Sequence, residues 1–118
     1  MDEALHHDSQ LLRGVLPMLV LTLLGRQESY GYELVERLRE LGLPGLATGV
    51  VYPVLNRFER DGLLASRLVP SSSGPARKYY ALTEAGDYAR AEAVERWRVL
   101  SQVAERGLAT HPVKGAPA

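Results

Sequence analysis

The segment Ala47–Leu64, ATGVVYPVLNRFERDGLL, constrains the fold more than any other stretch of the chain. Val51, Leu55 and Phe58 recur at helical spacing and mark one apolar stripe on a short helix. Thr48 is the N-cap candidate, its hydroxyl placed to accept from a free N–H of the first turn. Gly62 supplies the stop, because glycine tolerates the left-handed conformation just past a helix end. The opposite face carries Tyr52, Asn56, Arg57 and Arg60, side chains that reach phosphates and base edges in a DNA major groove. A solvated surface helix has the same pattern, so this segment alone leaves both readings open.

The charge distribution bears on that choice. Over 118 residues, 14 Lys and Arg balance 14 Asp and Glu, but not evenly. Residues 1–47 hold four Arg against seven acidic residues, net −3. Residues 48–80 hold Arg57, Arg60, Arg67, Arg77 and Lys78 against Glu59 and Asp61, net +3. Residues 81–118 hold five of each sign. The basic excess coincides with the proposed helix and the segment after it, which is the footprint that phosphate binding needs.

In chain order, residues 1–8 are expected to be a flexible tail. Residues 9–26 predict a buried helix, with Leu12, Val15, Leu16, Leu19, Val20, Leu23 and Leu24 along one long face and Gly25 as its stop. Pro17 removes one backbone bond within it. Residues 29–42 predict a second helix, with Ser29 as N-cap and Tyr30, Leu34, Leu38 and Leu41 as the buried stripe. Glu33 and Arg37 form a favourable i,i+4 pair there. Gly42 ends this helix, and residues 43–47 turn into the basic amphipathic helix. Helix, short turn and amphipathic helix make a helix-turn-helix. After Gly62 the period becomes alternating. Residues 64–69 and 77–82 read as strands around a polar loop, a hairpin in the position of a wing. Arg67, Arg77 and Lys78 lie where a wing meets phosphates.

Thr83 caps a last helix. Tyr88, Ala91, Val94, Trp97, Leu100, Val103 and Ala104 form a stripe along it. The first three helices and the wing already close a small core, so the partner expected for this stripe is a second copy. The fold class is therefore mainly α with a small β-hairpin. It comprises a winged helix-turn-helix over 9–82, a dimerisation helix over 83–108 and a disordered tail over 109–118.

Other function classes find little support. There are no cysteines, hence no disulfides, thiolate metal sites or cysteine nucleophiles. His6, His7 and His111 lie in the tails and form no metal-ligand spacing, and no acid/base pair is placed for catalysis. No enzyme activity, metal or cofactor is expected. The apolar run Val15–Leu24 is too short to span a bilayer, and the acidic MDEALHHD start lacks the basic region of a signal peptide. A cytoplasmic protein without a membrane association is the expectation.

Three separated motifs carry a family resemblance. They are Tyr30-Gly31-Tyr32-Glu33-Leu34; Gly49-x-x-Tyr52-Pro53-x-Leu55-x-Arg57-x-Glu59-x-x-Gly62-Leu63; and Gly74-x-x-Arg77-Lys78-Tyr79-Tyr80-x-Leu82-Thr83-x-x-Gly86. Together they resemble the PadR family of transcriptional regulators, over roughly residues 10–107. The single last helix is similar to the short subfamily, which dimerises through that helix. The resemblance implies a winged helix-turn-helix homodimer, joined through the first and last helices, that represses from a palindromic operator on double-stranded DNA. It points to Thr48, Gly49, Tyr52, Asn56, Arg57, Arg77 and Lys78 as the DNA contacts. Val50 stands where the family usually has a hydroxyl, which removes one candidate contact.

Trp97 carries two readings. As a helical aromatic it packs in a dimer helix. By resemblance to short members, it lines a pore between subunits where a small planar hydrophobic or aromatic effector stacks. Leu100 and the partner's Leu12, Val15 and Leu16 are the other lining candidates. The competing functional class is a winged-helix protein–protein module without DNA binding. A steep salt dependence of binding separates the two.

Overall fold

A computed structural model describes residues 9–110. The tail expected at 1–8, and residues 111–118 of the tail expected at 109–118, lie outside the described residues. Helix α1 spans Ser9–Arg26, strand β1 Ser29–Tyr30, α2 Gly31–Leu41, α3 Thr48–Arg60, β2 Leu64–Ser71, β3 Gly74–Leu82 and α4 Glu84–Thr110. The three strands form one antiparallel sheet in the order β1-β3-β2. Val51, Leu55 and Phe58 of α3 are buried against Leu34, Val35 and Leu38 of α2 and against Leu16, Val20, Leu23 and Leu24 of α1. Leu64 and Tyr80 close the core from the sheet side.

The helix stops follow from backbone chemistry. Gly62 has φ +78°, a left-handed conformation that a Cβ would strain. Its N–H donates to the Glu59 carbonyl at 3.1 Å, and that of Leu63 donates to Phe58 at 2.8 Å. This is a Schellman closure of α3. Gly42, at φ 147°, closes α2 in a related way. The turn that follows is tied down by Arg39, whose Nε donates to the Leu46 carbonyl at 3.0 Å. Thr83 caps α4 as expected: its hydroxyl accepts from the Gly86 N–H at 3.0 Å and donates to the Gly62 carbonyl at 2.7 Å.

Several expectations are corrected. Gly25 does not stop α1, which continues to Arg26. Its missing side chain instead admits Leu82, whose Cδ2 would lie 3.1 Å from a Cβ there. Ser29 is no N-cap: it pairs with Tyr80 in the sheet and is fully buried. Its hydroxyl accepts from Arg37 at 2.6 Å. Arg37 also donates to the carbonyls of Leu23 and Gln27 at the end of α1, so it is not paired with Glu33. Leu41 is exposed rather than buried. Thr48 lies inside α3 and Ala47 holds the cap position, with no side-chain cap bond. Residues 109 and 110 belong to α4, not to a disordered tail. The hairpin is also longer than expected: Pro70 and Pro75 belong to its strands, and only Ser72 and Ser73 turn the corner.

Candidate nucleic-acid interface

Packing of the α3 stripe against α1 and α2 turns the other side of the helix outward. Gly49, Asn56 and Arg57 are exposed, Tyr52 is about one-third exposed and Thr48 is half-buried. A Cβ on Gly49 would meet no atom within 4 Å, so the first turn of α3 is open to an approaching backbone. Tyr52 is held differently. A Cβ on Gly31 would lie 2.5–2.8 Å from the Tyr52 ring and hydroxyl. Only glycine at the start of α2 leaves room for this ring. Val50 is less open than Gly49 and Arg57, although it lies on their side of the helix. It is half-buried and lines a groove of about 310 Å³ between α1 and α3, with Arg13, Pro17, Pro53 and Arg57.

The basic residues fall into two groups. Lys78 Nζ donates to Glu59 Oε1 at 2.8 Å, and the Ser66 hydroxyl donates to the other oxygen of the same carboxylate. One glutamate thus joins α3 to both strands of the wing. The Lys78 hydrogen bond, followed by that of Ser66, holds the Glu59 carboxyl below its ordinary range. The same bond raises Lys78. Arg67 is paired with Glu28, and Arg60 lies 3.7 Å from Asp61. Arg57 and Arg77 form the second group, with no carboxylate partner among the described residues. Arg57 leans over the Phe58 ring at 5.2 Å, and Arg77 stacks over Tyr30 at 4.5 Å. Tyr30 is braced in turn by Tyr79, edge-on at 5.3 Å.

The fold brings Tyr52, Arg77 and Lys78 together. They line one cleft of about 280 Å³ between α2, α3 and β3, with Tyr30, Tyr32 and Tyr80. Asn56 and Arg57 lie further along α3 and do not line it. Sequence reasoning missed Tyr32 and placed Tyr30 in a buried stripe. The available signal was the Tyr-Gly-Tyr spacing, with its glycine between two ring-bearing residues.

The residues considered for an effector are divided. Trp97 and Leu100 line a third cavity, of about 250 Å³, with Gly14, Pro17 and Met18 of the same chain's α1. Leu16 is only 1% exposed and belongs to the core, so it does not face this cavity. Leu12 and Val15 are half-buried, with Leu12 packed against the core. No helix among the described residues is long and apolar enough to cross a membrane.

A helix-turn-helix whose second helix buries one face and opens the other, followed by a hairpin bearing arginines, defines a winged-helix DNA-binding fold. The family comparison is more specific: residues 20–92 match the transcriptional regulator PadR-like family, and the chain belongs to it. It is similar to a Streptococcus transcriptional regulator, at 40% identity and TM-score 0.75, over 83% of this chain and 96% of that one. A PadR-like transcriptional regulator from Bacillus cereus is 36% identical with TM-score 0.76, over 85% and 97% of the two chains. A PadR family regulator from Eggerthella lenta is 39% identical with TM-score 0.78, over 86% and 88%. These are transcriptional regulators and not enzymes.

Proposed function

We infer that the chain is a sequence-specific repressor that acts in the cytoplasm as a homodimer on a palindromic operator. The observation that carries this reading is α3. Its inner face is core, while Gly49, Tyr52, Asn56 and Arg57 stand open on the other side. Arg57 and Asn56 have the hydrogen-bonding geometry for base edges, and Gly49 leaves the helix N-terminus open to a phosphate. Thr48 flanks that N-terminus. Arg77 serves the backbone from the wing, with Lys78 held beside it by Glu59.

The dimer rests on α4. Tyr88, Trp97, Val99, Leu100 and Val103 are exposed along it, an apolar surface that one protomer leaves uncovered. A second copy covers it with α1 and α4, and the two α3 helices then meet two half-sites about one turn of DNA apart. A planar hydrophobic or aromatic effector on Trp97 and Leu100, with Val15 and Leu12 of the neighbouring α1, would change that spacing and release DNA.

Selection from random double-stranded DNA, followed by salt titration of the selected fragment, tests the reading. An inverted repeat is expected, with affinity falling steeply as salt rises. Failure to enrich any sequence, or a complex indifferent to salt, points to a protein-binding module instead. Fluorescence of Trp97, the single tryptophan, tests the effector: saturable quenching by planar aromatics is expected, and none across a diverse panel makes Trp97 a packing residue only.

A further inference from the structure

We propose that the tyrosine-lined cleft between α2, α3 and β3 is a socket for one backbone phosphate of the operator, with Tyr32 as an unassigned donor. The proposal rests on the DNA-binding reading above and adds to it a division of labour within the interface.

The cleft holds two cations, but only one is available. Lys78 is neutralised by Glu59 at 2.8 Å. Arg77 has no carboxylate partner among the described residues. It is nevertheless held, by stacking at 4.5 Å on a Tyr30 ring that Tyr79 braces. A guanidinium fixed in this way loses little further freedom when a ligand arrives. The phenols of Tyr32 and Tyr52 also line the cleft, and Tyr32 is nearly half exposed. A phenol donates a hydrogen bond and carries no charge at neutral pH. One free cation with neutral donors matches a singly charged phosphodiester better than the doubly charged phosphate of a free nucleotide.

Position agrees with chemistry. Tyr52 belongs to the cleft and Asn56, one turn on, does not. A phosphate seated in the cleft would therefore leave Asn56 and Arg57 directed at the groove. Such a contact fixes register along the duplex without reading sequence. Gly31 is part of the device, since any Cβ there would displace the Tyr52 ring from the cleft wall.

The test uses selected operator fragments that carry single methylphosphonate linkages, each removing one backbone charge. They are titrated by fluorescence anisotropy against the wild type and Tyr32→Phe. The wild type is expected to lose about tenfold at one linkage per half-site, the size of one hydrogen bond to a charged group. Tyr32→Phe should bind the native fragment about tenfold less tightly, with its loss at that linkage reduced to about threefold and its melting temperature unchanged. Arg77→Ala should likewise reduce the sensitivity at that linkage to about threefold. Full affinity of Tyr32→Phe, or an undiminished tenfold loss at the same linkage, overturns the socket while DNA binding stands. A wild type that binds no fragment overturns the DNA reading itself. A mononucleotide serves as the last arm: release of DNA at micromolar concentration would assign the cleft to a free ligand, whereas a backbone socket yields only at ionic strengths where any salt acts.

Discussion

Helices α3 and α4 both carry apolar residues at helical spacing, and they end in opposite situations. In α3, Val51, Leu55 and Phe58 are buried. In the 27-residue α4, Gly86 is buried, while Tyr88, Trp97, Leu100 and Val103 stand exposed. Periodicity shows that a helix has an apolar face. It does not show which surface covers that face. For α3 the cover is α1, α2 and the sheet of the same chain; the α4 residues named here stay exposed within one protomer. Apolar truncation should therefore cost folding in α3 and association in α4.

The largest effect expected is at Leu55. Its side chain is completely buried, and Leu55→Ala should cost about 2–5 kcal/mol through lost burial and the cavity left behind. Leu100→Ala should change stability by no more than about 0.5 kcal/mol in dilute protein, as surface substitutions do. Urea unfolding of both variants checks the contrast. Equal losses would mean that α4 is covered within one chain.

Gly86→Ala probes a place where α4 is locked to its own chain. A Cβ there would lie 2.1 Å from the Leu63 carbonyl oxygen and 2.8 Å from Leu82. The obstacle is backbone, so the cost should reach about 1–3 kcal/mol or more, visible as a lower melting temperature. The double substitution Leu100→Glu and Val103→Glu should leave that temperature nearly unchanged in dilute protein. It should weaken self-association by tenfold or more in sedimentation velocity. A dimer that survives both charges would place the interface elsewhere.

The same contrast, between partners supplied within the chain and partners still missing, holds for the cations. Arg77→Ala should weaken operator binding and lower the salt slope by about one, since each cation seated on a phosphate releases about one counterion. Lys78→Ala should do less, because Glu59 already takes up its charge. Parallel salt titrations of the two variants decide it. Equal slopes would mean that Lys78 leaves Glu59 when DNA binds.

How much of this was legible in the sequence depends on the range of each interaction. Stripes and stops are local, so the Val51–Leu55–Phe58 face, the Gly62 closure and the Thr83 cap are readable from neighbouring residues. Strand β1 has two residues, too few to show alternation, and Tyr80, the partner of Ser29, lies fifty-one positions away. Ser29 therefore looked like a cap when it is a buried strand residue bound by Arg37. The pairing of Lys78 with Glu59 spans nineteen residues and three elements. Composition counted Lys78 as a free charge, and only the fold neutralises it. Likewise, Leu16 and Val15 are adjacent in sequence, and packing alone sends the first into the core and leaves the second half-buried.

The smallest expected effect tests whether Glu59 really joins the recognition helix to the wing. Its carboxyl is lowered by the hydrogen bonds from Lys78 and Ser66. A carboxylate lowered by folding contributes stability that is fully present above its unfolded pKa and is lost as pH falls through the folded value. Lys78, raised by the same contact, loses its share only as pH climbs above the ordinary lysine range. Between about pH 5 and 9 the pair should therefore be intact, with both partners near their ordinary charged states. Because both side chains are partly exposed, solvent screening keeps the contribution below about 1 kcal/mol. Glu59→Gln should be less stable than the wild type by that amount at neutral pH, and the gap should close as pH falls into acid through the lowered folded pKa of Glu59. Urea midpoints of both proteins over this range measure the gap. A gap that stays constant into acid would mean that Glu59 acts through packing and not through its charge.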